Sequence, residues 1–278
     1  SNSDAQQGRD SRGDHVQYSG AARRGDMSLQ NLGNTCYMNA TLNALLRIKS
    51  VRDFFVNRTF ARGTLSLSLQ RLLSGENAQV HDIQSKVVAR AAMDKSWDLR
   101  KGIQNDAQEL LLLVLQMVGE ELGGEARQGF ENLCGDGALG AHVSHAKLVD
   151  GIRSMNGGHR HRNLPKILTI YIARLDWTGG PAGQGVKDQR AVEIPQQLDM
   201  KNYFVPGYSG CTAYTLKGVT VHHGETPTGG HYTAYNNATG SWIEHNDSQP
   251  TRPVGYDSHI HNAGGYSTPY LLFYERND

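Results

Sequence analysis

The chain has 278 residues, enough to bury a hydrophobic core in one large domain or two small ones. Lys and Arg number 28 against 27 Asp and Glu, a balance that argues against a nucleic-acid-binding domain, whose binding face usually makes the whole strongly basic. The three cysteines, Cys36, Cys134 and Cys211, cannot all pair and form no C-x-x-C, which excludes a disulfide framework and a self-contained cysteine zinc finger and fits a reducing compartment.

Residues 1–27 are polar, rich in Gly, Ser, Asp and Arg, and show no apolar period, so they read as a linker arm. A first helix is expected after Asn34-Thr35, where Met38, Leu42, Leu45 and Leu46 recur at helical spacing. A second covers Leu65 to Leu73, and a third runs over 81–92 with Ile83, Val87, Val88 and Ala91 on one face. A fourth starts near Asp106 and ends before Gly123-Gly124. Its stretch 110–115 is apolar on all sides, which predicts a central buried helix. That stretch is the longest strongly apolar run, far short of the roughly 20 residues of a membrane span.

Residues 123–163 are dominated by Gly, His, Arg and Asn and are expected to be loops with little core. Beyond Pro165 the pattern turns to strands, over 166–175, 214–222, 232–236, 241–245 and 270–274, separated by Gly, Pro and Asn turns. Helices first and strands later predict an α+β domain with its active site where the halves meet.

Cys36 follows Gly33-Asn34-Thr35 at the expected start of a helix. A thiol there faces the positive end of the helix dipole, which favours the thiolate. The backbone N–H groups of the turn and the Asn31 amide are candidate oxyanion donors. His231 lies in Thr228-Gly229-Gly230-His231-Tyr232, after glycines that leave its imidazole accessible. A cysteine nucleophile needs such a base and a third group to orient it. If 232–236 and 241–245 form a hairpin, Asn246 or Asp247 returns beside His231. Taken singly, a cysteine is more often a buried structural residue and the others solvated turn residues. The three types together, in this order, point to nucleophilic catalysis.

The segment Leu29-Gln30-Asn31-Leu32-Gly33-Asn34-Thr35-Cys36-Tyr37-Met38-Asn39 resembles the cysteine box of the ubiquitin-specific proteases. Gly229-Gly230-His231-Tyr232-Thr233-Ala234-Tyr235, with Trp242 and Asn246-Asp247-Ser248, resembles their histidine box. Gln104-Asn105-Asp106-Ala107-Gln108-Glu109-Leu110, Leu164-Pro165-Lys166-Ile167-Leu168, Val192-Glu193-Ile194-Pro195 and Pro269-Tyr270-Leu271-Leu272-Phe273-Tyr274 resemble further segments of that family, in the correct order. The resemblance implies a papain-like α+β fold over 28–278, with a helical thumb (28–125), an antiparallel β-rich palm (164–278) and a cleft that takes the C-terminal tail of ubiquitin. It implies Cys36 as nucleophile, His231 as general base, Asn246 as the orienting third member and Asn31 as the oxyanion asparagine. Asp247 matches a second polar residue that supports the histidine or the oxyanion. Were the strand to continue, it would point away from Asn246. Gln104, Asp106 and Glu109 match positions facing the tail channel, with His222 and Tyr232 lining it, although Asp106 also suits a helix cap.

Two C-x-x-C pairs of the family's zinc-bearing fingers have no counterpart in this sequence, so 126–163 is expected to be a shortened replacement in a compact, fingerless form. Cys134, His142, His145, His159 and His161 lack a recognised metal spacing, and no metal or cofactor is expected. The excess of Arg over Lys and the abundant Gly and Ala resemble bacterial effector deubiquitinases of the TssM kind, which act on host ubiquitin. The implied activity is thiol-dependent hydrolysis of isopeptide bonds, and by the same chemistry ester bonds, after the terminal glycine of ubiquitin. A monomer acting on ubiquitin and ubiquitinated substrates in a cytosol is expected, the host's in the case of an effector. The competing readings are a ubiquitin-binding module with little catalysis and a protease for a ubiquitin-like modifier. The presence of Cys36, His231 and Asn31 together weighs toward an enzyme.

Overall fold

The computed structural model describes residues 15–16, 27, 29–95, 99, 105–157, 159–237 and 240–278. Of the arm expected over 1–27, all but His15, Val16 and Met27 lie outside the described residues, and so does Gln104. A short strand pair, β1 (His15–Val16) with β2 (Phe60–Ala61), accompanies the helical half.

The apolar periods of the first half become α1 (Cys36–Leu46), α2 (Lys49–Val56), α3 (Leu65–Leu73), α4 (Gln79–Met93) and α5 (Ala107–Glu121). Every residue of α1 is buried, as a helix enclosed on all sides must be. The sequence reading left out α2, which follows α1 almost directly and buries Val51, Phe54 and Phe55 at helical spacing. The start of α3 is fixed twice. Thr64 accepts the Leu67 N–H, and the Glu121 carboxylate at the end of α5 accepts the N–H groups of Leu65 and Ser66 at 2.6 and 3.0 Å. A carboxylate against the positive end of a helix contributes about 0.3–1 kcal/mol.

The stretch expected to be loops contains α6 (Gly124–Cys134), β3 (Leu139–His142) and α7 (Leu148–Asn156). This corrects the expectation, and the reason is local. Helix α6 buries only Phe130 and Cys134, so its apolar period is too sparse to stand out, whereas Leu148 and Ile152 of α7 did carry a legible one.

The second half supplies β4 (Ile167–Ala173), β5 (Leu175–Asp176), β6 (Val186–Lys187), β7 (Gln197–Asp199), β8 (Ala213–His223), β9 (His231–Asn237), β10 (Trp242–His245), β11 (Arg252–Val254), a short α8 (Tyr256–His259) and β12 (Ser267–Arg276). The main sheet runs β11-β10-β9-β8-β12-β4-β3, with β7 paired to β8. The strands of 164–278 pair antiparallel throughout, as expected of the palm, and β3, from the stretch expected to be loops, adds one parallel pair at the edge beside β4. Both faces of its centre are covered. Tyr270, Leu271 and Phe273 join the helical core, while Leu272 and Tyr274 join a second core on the other face, so β12 reads as a continuous apolar run.

Helix α1 crosses this sheet at close range. A Cβ on Gly218 of β8 would meet the Ala44 carbonyl oxygen at 2.4 Å, and the same oxygen accepts Asn236 Nδ2–H at 3.0 Å. The glycine and the amide together set the height and rotation of α1, and with them the place of Cys36 above the sheet. Among the described residues no helix is long and apolar enough to cross a membrane.

Candidate active site

Three segments distant in sequence meet at the N-terminus of α1. Cys36 is the first residue of the helix and is 2% exposed. It is reached through a turn in which Gly33 (φ 92°) and Asn34 (φ 55°) are left-handed. Glycine adopts that conformation without steric cost, and asparagine does so more readily than most residues. Thr35 stands at the N-cap, but its hydroxyl does not cap the helix; it accepts the Leu32 N–H at 2.9 Å and closes the turn instead. Asn31 Oδ1 accepts the N–H groups of Gly33 at 3.0 Å and Thr35 at 3.2 Å. Those two backbone donors, offered by the sequence for an oxyanion, are therefore engaged in building the loop.

His231 opens β9. The expected hairpin is present, with β10 antiparallel to β9 and His245 opposite Ala234. The next residue, Asn246, places its Oδ1 2.6 Å from His231 Nε2. An amide oxygen can only accept, so this contact fixes a proton on Nε2 and leaves Nδ1 for Cys36. The hydrogen bond to Cys36 is the largest influence on His231 and pushes its pKa up to about 9. Burial opposes the rise, while Asn246 and the nearby Cys36 and Asp247 charges add to it.

Asp247 does not continue the strand. Strand β10 ends at His245, and Asp247 is left-handed with φ 46°. Its carboxylate turns back toward α1, where Oδ1 accepts Asn39 Nδ2–H at 2.8 Å and Oδ2 accepts Asn31 Nδ2–H at 3.3 Å. Asn39 Nδ2 also lies 3.2 Å from Leu29 O and 3.1 Å from Gln30 O. Asp247 thus ties the loop carrying Asn31 to the first turn of α1. The sequence reading did not single out Asn39. Its signal was its place three residues after Cys36, on the same helix face.

On the far side of Tyr232 the helical and β halves border an open cavity of about 400 Å³ lined by Asp106, Gln108, Tyr171, Arg174, Asp176 and Tyr270, among others. Asp106 caps α5 by accepting the Gln108 N–H at 2.9 Å, and it also accepts the Tyr270 hydroxyl at 2.7 Å, so cap and cavity wall are one residue. Burial pushes its carboxyl up from the ordinary range, against those two hydrogen bonds. Glu109 is half-buried in the first turn of α5.

His222 and Tyr232 do not face open solvent as channel-lining residues would. They are 0% and 1% exposed and pack edge to face with ring centres 5.0 Å apart. Tyr232 in turn lies 6.4 Å from the Tyr270 ring, and its hydroxyl, already pushed well up by burial, feels the charges of both Asp106 and Cys36. It therefore sits between the thiol and the acidic cavity. His222 acts from beneath, with Nε2 3.2 Å from the carbonyl of Gly229 in the turn before His231. Cys134 is buried at the end of α6, where burial pushes its thiol up to about 12. Among the described residues no three His, Cys, Asp or Glu side chains gather as metal ligands.

The histidines oppose one another in pH dependence. His231 gains protons on folding, so its contribution to stability is complete below about pH 6.5 and is lost as pH rises through about 9. Burial, first among the causes, pushes His222 and His245 down to about 3 and His223 to about 4. Their contribution is present above about pH 6.5 and is lost as pH falls toward 4 and below. The urea midpoint is accordingly expected to fall between pH 6.5 and 4, and an unchanged midpoint over that window would show that these imidazoles are not held neutral.

Residues 27–274 match the protein family described as ubiquitin carboxyl-terminal hydrolase. Ubiquitin carboxyl-terminal hydrolase 26 of Arabidopsis thaliana is 24% identical over 79% of this chain and 25% of its own length. Ubiquitin carboxyl-terminal hydrolase 3 of Homo sapiens is 42% identical over 32% of this chain and 18% of its own length. Ubiquitin carboxyl-terminal hydrolase 17-like protein C of Mus musculus is 24% identical over 80% of this chain and 51% of its own length. The chain thus spans at most about half the length of these relatives.

Proposed function

Because the chain belongs to the ubiquitin carboxyl-terminal hydrolase family, we propose that it is a cysteine-type deubiquitinase that cleaves the bond after the C-terminal glycine of ubiquitin. The observation that carries this reading is the line Cys36–His231–Asn246, in which an amide oxygen holds one imidazole nitrogen and leaves the other for the thiol. The sulfur attacks the glycine carbonyl as thiolate while His231 carries the proton. The carbonyl oxygen becomes an oxyanion, for which Asn31 keeps a second Nδ2 hydrogen after giving one to Asp247. Collapse breaks the bond to the leaving amine, His231 Nδ1 gives that amine its proton, and a thioester to Cys36 remains. Water then attacks the thioester with His231 as base, and release of the acid restores the thiol.

The cavity beyond Tyr232 supports the substrate assignment. Asp106, Asp176 and Asp188 line it, which suits a basic, extended tail threading toward Cys36. A cation beside Asp106 would also offset the burial that pushes its carboxyl up. The same acyl chemistry extends to ester-linked ubiquitin, since an alcoholate with its proton supplied leaves at least as easily as an amine. The compact build without the fingers cysteines, work as a monomer, and action in a cytosol, reached by secretion if the source is bacterial, belong to the same reading. The test is hydrolysis of ubiquitin bearing a C-terminal reporter amine, followed by a panel of di-ubiquitins and an ester-linked conjugate. Cleavage of a ubiquitin-like modifier in place of ubiquitin would move the assignment to that modifier, and binding without turnover would leave a ubiquitin-binding module.

A further inference from the structure

Lys187, on β6, is 7% exposed, and among the described residues its hydrogen-bond partners include no carboxylate. Its ammonium donates to three backbone carbonyls: His222 at 3.2 Å, Gly224 at 2.9 Å and Tyr266 at 2.8 Å. In the protonated form three hydrogens meet three acceptors without a counter-ion, and burial, with the nearby Arg174 charge adding to it, brings the pKa of the group down to about 7. A buried cation held only by carbonyls is a costly way to join strands, because a buried charge without a paired charge loses much of its hydration. Where those carbonyls lie gives the arrangement a purpose. Two of them flank His223, the residue of β8 that pairs with His231 of β9.

The turn 224–230 between those strands is held from the same side. Thr228 donates its hydroxyl to Gln184 O at 2.8 Å, and a Cβ on Gly185 would meet Pro227 at 2.9 Å. At the base of the turn Gly230 lies so close to the opposite strand that a Cβ there would meet His223 O at 2.0 Å. Segment 184–187 thus grips the turn along its length, while Asp176, Val186 and Asp188 on the same β5–β6 ribbon line the acidic cavity. Burial comes first in keeping His222 and His223 neutral; the charge of Lys187, when it is protonated, adds to this at His222 and, after that of His231, at His223.

We propose that Lys187 is a positioning residue for His231: it clamps the carbonyls of His222, Gly224 and Tyr266 and thereby fixes the turn from which His231 reaches Cys36. The proposal rests on the reading of Cys36 and His231 as the reacting pair. Lys187→Met keeps the unbranched side chain, one atom shorter, and removes all three bonds. Thr228→Val, at an exposed site, loosens the same turn without disturbing the core. Two quantities are measured on wild type and both variants: kcat and KM on ubiquitin with a reporter amine, and the rate of Cys36 alkylation by iodoacetamide at pH 7 without ubiquitin. Lys187→Met is expected to lower kcat and alkylation about tenfold or more with KM within about twofold, since misplacement on the order of 1 Å has that scale of effect. Thr228→Val is expected to lower kcat roughly two- to fivefold by the same route. A folded Lys187→Met protein with kcat and alkylation within about twofold of wild type would overturn the proposal. If Lys187→Met does not fold, Thr228→Val decides: lowered kcat and alkylation support the clamp, and unchanged values overturn it. If wild type does not cleave ubiquitin, the alkylation rates still decide the proposal, so its failure is distinguishable from failure of the substrate assignment.

Discussion

Cys36→Ala is expected to reduce hydrolysis of ubiquitin derivatives to background while leaving the fold and ubiquitin binding in place. The loss is complete because the residue supplies the attacking atom, and no neighbouring group can form the thioester. Removal of a nucleophile from a triad costs on the order of 10⁶ in kcat where it has been separated from binding. The cost to stability is small. Alanine is the best helix former and Cys36 is the first residue of α1, so the change amounts to one buried sulfur atom, about 0.8 kcal/mol on the scale of a methylene. The measurement is kcat on a reporter conjugate together with a binding titration and a thermal melt. Turnover above background in a purified, well-folded Cys36→Ala protein would remove Cys36 from the reaction.

The second large effect separates Asn246 from Asp247. Asn246 is 2.6 Å from His231 Nε2 and has no proton to transfer, so its alanine variant loses orientation only. A ten- to thousandfold fall in kcat is expected, about 1.4–4 kcal/mol. Asp247→Ala acts elsewhere. It removes the acceptor of both Asn31 and Asn39, so the amide meant for the oxyanion loses its anchor, and kcat is expected to fall roughly tenfold or more with KM little changed. It also removes a negative charge that helps to raise the pKa of His231. The alkaline limb of the kcat profile should therefore move to lower pH in Asp247→Ala. Asp247→Asn keeps an acceptor and loses the charge, so it should show the shift of the limb with a smaller fall in kcat. Near-wild-type activity for Asn246→Ala beside an inactive Asp247→Ala would reverse the two roles.

Much of this arrangement was legible in the sequence, and what was not has physical reasons. The core helices α1, α3, α4 and α5 and the long strands β8, β9 and β12 were recoverable because each carries an apolar face at regular spacing or an unbroken apolar run. Helix α6 escaped because most of its surface is solvated and its two buried residues set no period. The hairpin brought either Asn246 or Asp247 beside His231, and the resemblance of the segment around Trp242 to the histidine box singled out Asn246, which the geometry places there. The turning back of Asp247 could not be read, since it depends on a left-handed residue just beyond a strand end, and a local pattern extends the strand by default. Lys187 was invisible for a different reason. Nothing near it in sequence announces that a lone lysine will be buried under three carbonyls from β8, its following turn and the residue before β12.

The central claim is that Cys36, oriented against His231, attacks the carbonyl at the end of the ubiquitin tail. Its most direct test is a ubiquitin whose terminal glycine is replaced by a thiol-reactive electrophile, incubated with the protein and mapped by mass spectrometry. The account predicts one covalent adduct on Cys36, formed fast in wild type, slowly in His231→Ala and not at all in Cys36→Ala, with Cys134 and Cys211 unmodified. Absence of an adduct in wild type, or an adduct on another cysteine, would contradict it.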